Sequence, residues 1–256
     1  MVVLDLNDYI VFLLVSCRIT GVIFFNPIFG RRNIPNIVKV GLSMGIALAA
    51  AYEMKDMSVA DYTAIEMILS MIKEFAAGFL IGFIMQLFLS VFHIGGELMD
   101  MQMGLFMASM YDPTSNSQIS ITGNLITTMY TLLFFITNSH ITLFAITIKS
   151  FNALPIGFEQ VSEKIGIYIA ELFGYILIYA IQLALPVIVT QIIVEVAVGI
   201  LMRVVPNINV FVVNLQIKMG VGIIVILSII PVLVKYLEKL NMIMFENIQE
   251  GLVFLL

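Results

Sequence analysis

Apolar residues run through this chain in six blocks: Tyr9 to Phe29, Ile37 to Tyr52, Ile65 to Met110, Ile119 to Ile148, Ile165 to Met202 and Val210 to Leu237. A helix needs roughly 20 apolar residues to cross the hydrocarbon core of a bilayer. By that measure the second block is short, and the third and fifth are each much longer than one crossing requires. The connectors NPIFGRRNIPN, EMKDMSVADYT, YDPTSNSQ, NALPIGFEQ and VVPNIN are rich in residues that end helices and make turns. With no internal repeat and no low-complexity stretch, the pattern predicts one all-α, membrane-associated domain over residues 1–256.

Composition supports the membrane reading. Hydrophobic side chains make up 61% of the 256 residues and charged ones 11%, against about a quarter charged in soluble proteins. Mean hydropathy is +1.08. The start, MVVLDLNDY, has Asp5 and Asp8 and no base, the reverse of a secretory signal, so the first apolar segment is expected to stay. The single Cys17 excludes an intramolecular disulfide and reads as a packing residue. Net charge is −5, and the densest basic cluster is Arg31, Arg32 and Lys39, too small to track a nucleic-acid backbone. Nucleic acid is therefore not an expected partner. That basic connector faces the cytoplasm by the positive-inside rule, and the acidic one around Glu53, Asp56 and Asp61 faces outward, if both are ordinary loops.

Charges sit where lipid is expected. Arg18, Lys73, Glu74, Glu97, Asp100, Glu171, Glu195, Arg203 and Lys218 fall in or beside apolar blocks, and a central charge costs about 2.5–3.5 kcal/mol on insertion scales. These groups either face protein, or line water, or belong to blocks that do not all lie in lipid. Gly41, Gly45 and Ala49, and again Gly78 and Gly82, recur at every fourth position, a spacing that suits close helix packing. Pro186, with Gln182 and Gln191 nearby, suggests a kinked helix buried against protein. The implied object is a subunit of a larger assembly.

The stretch GELMDMQMGLFMASMYDPTSNSQ holds most of the candidate chemistry. His93, Glu97 and Asp100 share one helix face by spacing and could offer three ligands to a metal, but the preferred reading is that His93 packs and the acids anchor helix ends or basic neighbours such as Arg18 or Arg203. Gly95 and Gly96 put the continuity of that helix in question. Met99, Met103, Met107 and Met110 form one stripe, either core or a deformable contact surface. Pro113 disfavours helix at Asp112. His140 and the scattered serines form no nucleophile frame, and no Cys-x-x-Cys or phosphate-cradling motif is present. Nothing argues for catalysis or for a cofactor.

Four segments in order resemble the FliR family, the export-gate subunit of flagellar type III secretion, with its SctT relatives in injectisomes. They are RITGVIFFNPIFGRRNIPNIVKVGLS, with Arg18, Pro27, Pro35 and Lys39; GELMDMQMG running on to Asp112-Pro113; NSHITLFAITIKSFNALPIG, with Asn138, His140, Ser150, Phe151, Leu154, Pro155 and Gly157; and ALPVIVTQIIVEVAVGILMRVVPNINVFVVNLQIK, with Leu185, Pro186, Gly199, Arg203, Pro206, Asn209, Phe211 and Lys218. Ser139 and Asn214 stand where the family commonly has Gly.

The resemblance implies stacked helical hairpins of unequal length in a bacterial inner-membrane, multi-pass subunit of the flagellar basal body. FliP-like and FliQ-like subunits would complete a helical, protein-conducting channel, much of it above the usual membrane plane. FlhB-like and FlhA-like export components, unfolded exported proteins and membrane lipid are the further partners it implies. It also implies a plug in the channel lumen over roughly residues 104–117, starting at Gly104, with Leu105, Phe106, Met107, Met110 and Tyr111 as apolar contacts and Asp112 and Pro113 setting a turn. Arg18, Glu97, Asp100, Glu195, Arg203 and Lys218 are the expected buried charges. Two other functions fit parts of the chain: a secondary transporter using Glu97, Asp100 and Glu195, and a membrane metallohydrolase built on His93, Glu97 and Asp100.

Overall fold

The computed structural model describes residues 6–54, 63–105, 120–157, 162, 164–204 and 210–255. The described residues form seven helices and no strand: α1 (Leu6–Phe25), α2 (Asn36–Glu53), α3 (Ala64–Met103), α4 (Ile121–Ile136), α5 (Ser139–Ala153), α6 (Lys164–Val204) and α7 (Val210–Val253). Four of them, α1, α3, α6 and α7, are long and apolar enough to cross a membrane; α4 with α5 makes a fifth if that bent pair counts as one span. Several apolar helices thus fit a multi-pass membrane protein.

The block boundaries and helix ends agree within two residues for α2 and α6, while α1 stops at Phe25, four residues before the first block's end and just ahead of Asn26 and Pro27. Elsewhere they part, each time for a local reason. α3 is one helix of 40 residues, unbroken at Gly95 and Gly96. The fourth block is divided at Asn138, whose left-handed backbone (φ 56°) separates α4 from α5 at a 71° bend; Asn tolerates that region because its short polar side chain bonds locally. α7 runs 16 residues beyond the last block's end at Leu237. Glu238, Lys239, Glu246 and Glu250 end the apolar run but not the helix. Its inner stripe, Leu240, Met244, Ile248 and Leu252, is buried at every fourth position.

The chain divides into two compact units, one of Met1–Leu87, Phe134–Leu172 and Met242–Leu256, the other of Phe88–Leu133 and Phe173–Asn241. In the first, α2 lies on α1 through Ala47 and Ala50 against Val11, Val15 and Ile19. There α1 and α3 run parallel and nearly touch: a Cβ on Gly78 would fall on the Arg18 carbonyl, and one on Gly21 would come within 2.6 Å of the Phe75 oxygen. Small residues at this crossing permit that approach. Gly41 and Gly45 do not serve the same purpose within the chain, since added methyls there would meet nothing within 4 Å. Their helix face, with Ile37, Met44, Leu48 and Tyr52, is exposed.

In the second unit, α3 and α4 are antiparallel around the ring pair Phe92 and Tyr130 (4.7 Å). There α6 and α7 are antiparallel too, joined by Gln191 Nε2 donating to the Lys218 carbonyl (2.8 Å) and Tyr236 donating to the Tyr179 carbonyl (3.0 Å). Pro186 lies inside α6 without ending it, and Thr190 Oγ1 donates to the Pro186 carbonyl (2.7 Å).

Candidate functional site

The second unit contains the two stems of residues 106–119, the last turn of α3 and the first turn of α4. α3 stops at a glycine. Gly104 has φ 77°, its N–H donates to the Met101 carbonyl (3.3 Å), and the Leu105 N–H reaches back to the Asp100 carbonyl (3.0 Å). This pair of bonds closes a helix end in the left-handed turn that Gly adopts without strain. Gly104, the first residue of the expected plug segment, thus ends α3. Leu105 follows it, half-buried. Phe106, Met107, Met110, Tyr111, Asp112 and Pro113 lie outside the described residues.

One turn before that stop, Asp100 crosses to α4. The residue is 4% exposed. Oδ2 accepts from Ser120 Oγ (2.7 Å), both oxygens lie 3.3 Å from the Thr122 N, and the Thr122 hydroxyl donates to Oδ1. Ser120 caps α4, accepting from the Gly123 N–H (2.8 Å). An anion at a helix N-terminus takes up orphan N–H groups and the positive end of the helix dipole. Asp100 is therefore a clasp joining the end of α3 to the start of α4. The glycines beside it set the spacing: a Cβ on Gly96 would strike the Gly123 backbone, and one on Gly95 would stand 3.0 Å from the Ala180 carbonyl. Gly95 and Gly96 thus mark close helix approach, not a break.

Along the expected methionine stripe, Met99 and Met103 are buried and the off-stripe Met101 is exposed. Met103 packs against Gly222 of α7, where Gln191 also reaches. The Gln191 Oε1 and Asn214 Oδ1 atoms are buried with no hydrogen-bond partner among the described residues. Nearby, Lys218 pairs with Glu195 (2.6 Å), an ion pair whose acid is 56% exposed and which adds at most about 1 kcal/mol.

The metal face that the spacing allowed does not assemble. His93 and Glu97 are exposed, while Asp100 points into α4 with its oxygens occupied. A transporter site using Glu97, Asp100 and Glu195 meets the same obstacle, because Asp100 is taken by its three donors and Glu195 by Lys218. Of the charges expected to be buried, Arg18 and Asp100 are, and Lys218 is mostly so. Glu97, Glu195 and Arg203 are exposed on this chain, on outward helix faces.

In the first unit Arg18 is buried in an ion pair, and both it and its partner Glu74 are 0% exposed (Nε to Oε2, 2.6 Å). Arg18 also donates to Ser150 Oγ (3.0 Å) and the Leu154 carbonyl (2.9 Å), and its guanidinium lies 4.0 Å over the Phe151 ring. Glu74 accepts from the Gly157 N–H (3.0 Å). Arg18 thereby meets the SFNALPIG segment, two of the stretches that carried the family resemblance. Sequence reading noted Glu74 as a misplaced charge but gave it no partner. Ser120 and Thr122 escaped notice too, although a Ser just ahead of an apolar run is a helix-start signal.

The protein family described as bacterial export proteins, family 1, matches residues 9–243. Flagellar biosynthetic protein FliR of Bacillus subtilis (strain 168) is 31% identical over 243 residues, 93% of each chain. The FliR protein of Escherichia coli (strain K12) is 28% identical over 223 residues, 87% of this chain and 85% of the relative. Yop proteins translocation protein T of Yersinia pestis is 27% identical over 199 residues, 77% of this chain and 76% of the relative.

Proposed function

Because the chain belongs to the bacterial export proteins, family 1, we propose that it is a structural, channel-forming subunit of the flagellar type III protein export gate. In this reading it is not an enzyme, and it lies in the bacterial inner membrane as part of the flagellar basal body. FliP-like and FliQ-like subunits complete the channel, FlhB-like and FlhA-like components act beside it, and unfolded exported proteins pass through. The match with relatives named for flagellar biosynthesis over most of both chains supports this reading. The exposed apolar faces of α2, α6 and α7 also suit a subunit with neighbours or lipid around it.

Residues 104–117 are the lumen plug in this proposal. The observation that supports it is the Asp100 clasp: by tying Ser120 and Thr122 to the end of α3, it holds the two ends of the segment together. Met107 and Met110, flexible and polarizable, then form a deformable seal. Deletion of residues 106–117 is expected to leave the complex assembled and to raise passage of small solutes through the resting channel. Solute permeability equal to that of the intact protein, in an assembled complex, would sink the plug assignment.

A further inference from the structure

In the first unit, a cleft of about 400 Å³ opens where α1 ends, with Phe25, Pro27, Phe79 and Phe83 on its walls and Arg31 and Arg32 among its lining residues. Its walls are ordered aromatics: Phe25 meets Phe79 edge-on (4.6 Å) and Phe79 stacks on Phe83 (5.6 Å). The turn bearing the arginines is tied down. Asn26 Oδ1 accepts from the Ile28 and Phe29 N–H groups (2.8 and 3.0 Å), the Gly30 N–H donates to the Asn26 carbonyl (2.7 Å), and Arg31 Nε donates to the Pro27 carbonyl (3.1 Å). Buried Lys39 adds a third cation, bonded to the Gly30 carbonyl (2.9 Å). Between Ile19 and Tyr52 the chain has these three bases and no acid, although its net charge is −5.

We infer that this cleft binds an anionic phospholipid, its phosphodiester held by Arg31 and Arg32 and the start of an acyl chain laid against Phe25, Phe79 and Phe83. Three observations combine. The site stands at the end of one helix long and apolar enough to cross a membrane, α1, and beside the middle of another, α3. Guanidinium groups are always protonated and match phosphate oxygens in pairs. Apolar walls beneath a cationic mouth match an amphiphile better than a free anion, and basic pockets between spans are a known way of taking anionic headgroups. The inference does not depend on the export reading.

The test is native mass spectrometry of the full-length protein in detergent, titrated with phosphatidylglycerol and, separately, phosphatidylcholine. Each arginine near the headgroups is worth about fivefold, so the pair gives phosphatidylglycerol a preference of roughly 25-fold. Arg31→Gln with Arg32→Gln should bring retention down to the phosphatidylcholine level, while Lys235→Gln with Lys239→Gln, exposed bases elsewhere, should leave it unchanged. Because Arg31 also braces its own turn, Arg32→Gln alone, with an unchanged melting temperature, should cost about fivefold. Equal retention of the two lipids would overturn the inference. So would an unaltered preference in the arginine variants, or full displacement of phosphatidylglycerol by inorganic phosphate or by an acidic peptide, which would make the site one for those ligands.

Discussion

Replacing Asp100 by alanine removes the acceptor for three donors: the Ser120 hydroxyl, the Thr122 hydroxyl and the Thr122 N–H. Ser120 is half-buried and can turn towards solvent, but Thr122 is 4% exposed and its two donors are left without partners. A hydrogen bond to a charged group contributes about 1.5–3 kcal/mol, so the two Thr122 bonds alone set the local loss near 3 kcal/mol. Such a loss raises the population of the frayed first turn of α4 by about two decades. Amide exchange on the full-length protein reads this directly, since the Thr122, Gly123 and Asn124 N–H groups are bonded to Asp100, Ser120 Oγ and the Ser120 carbonyl. Exchange at these three amides should quicken about 100-fold in Asp100→Ala and about tenfold in Asp100→Asn, which keeps one acceptor. Amides in the middle of α6 serve as the internal reference. Unchanged exchange at Thr122 to Asn124 in the alanine variant would refute the clasp.

Removing one member of the buried Arg18 and Glu74 pair leaves an uncompensated charge; Arg18→Met or Glu74→Gln should lower stability by about 3–5 kcal/mol in thermal or denaturant melting, while the double variant should recover most of the loss. Gly78→Ala places a methyl on the Arg18 carbonyl and should cost about 1–3 kcal/mol in the same assay. Gly41→Ala and Gly45→Ala, whose methyls meet nothing, should leave the melting of the isolated chain unchanged or slightly raised; any loss of motility in these variants would then report a neighbour on α2's exposed face. Gly104→Ala, at φ 77°, should destabilise by about 1–2 kcal/mol, seen as faster exchange at Leu105.

The helical architecture was legible because long apolar runs and proline-bearing connectors are strong signals at this length. What the runs concealed was set by single residues. Asn138 turns the chain at the polar stretch Thr137 to His140, inside what reads as one apolar block, and hydropathy does not register a left-handed residue. The end of α7 was hidden because its charges sit on one face while Leu240, Met244, Ile248 and Leu252 continue on the other. At the site, Asp100 was visible as an anomaly and helix anchoring was among its readings. Its partners were not visible, since they lie 20 and 22 residues further on, across the 106–119 segment, and only the antiparallel return of α4 brings them near. The pairing of Arg18 with Glu74 was hidden in the same way, for spacing within a helix says nothing of a neighbour 56 residues away. Glycine spacing alone did not separate Gly78, which sits in a helix crossing, from Gly41, which faces open space.

The central claim is membership of an export gate, and isolation of the tagged chain from its native membrane tests it most directly, paired with deletion of its gene in the same strain. The account predicts that FliP-like and FliQ-like subunits come with the chain as one complex and that the deletion strain loses motility, restored by the intact gene. A chain recovered alone as a stable, monodisperse monomer, from a strain whose motility survives the deletion, would contradict it; motility retained with secretion of virulence proteins lost would place the subunit in an injectisome instead of a flagellum.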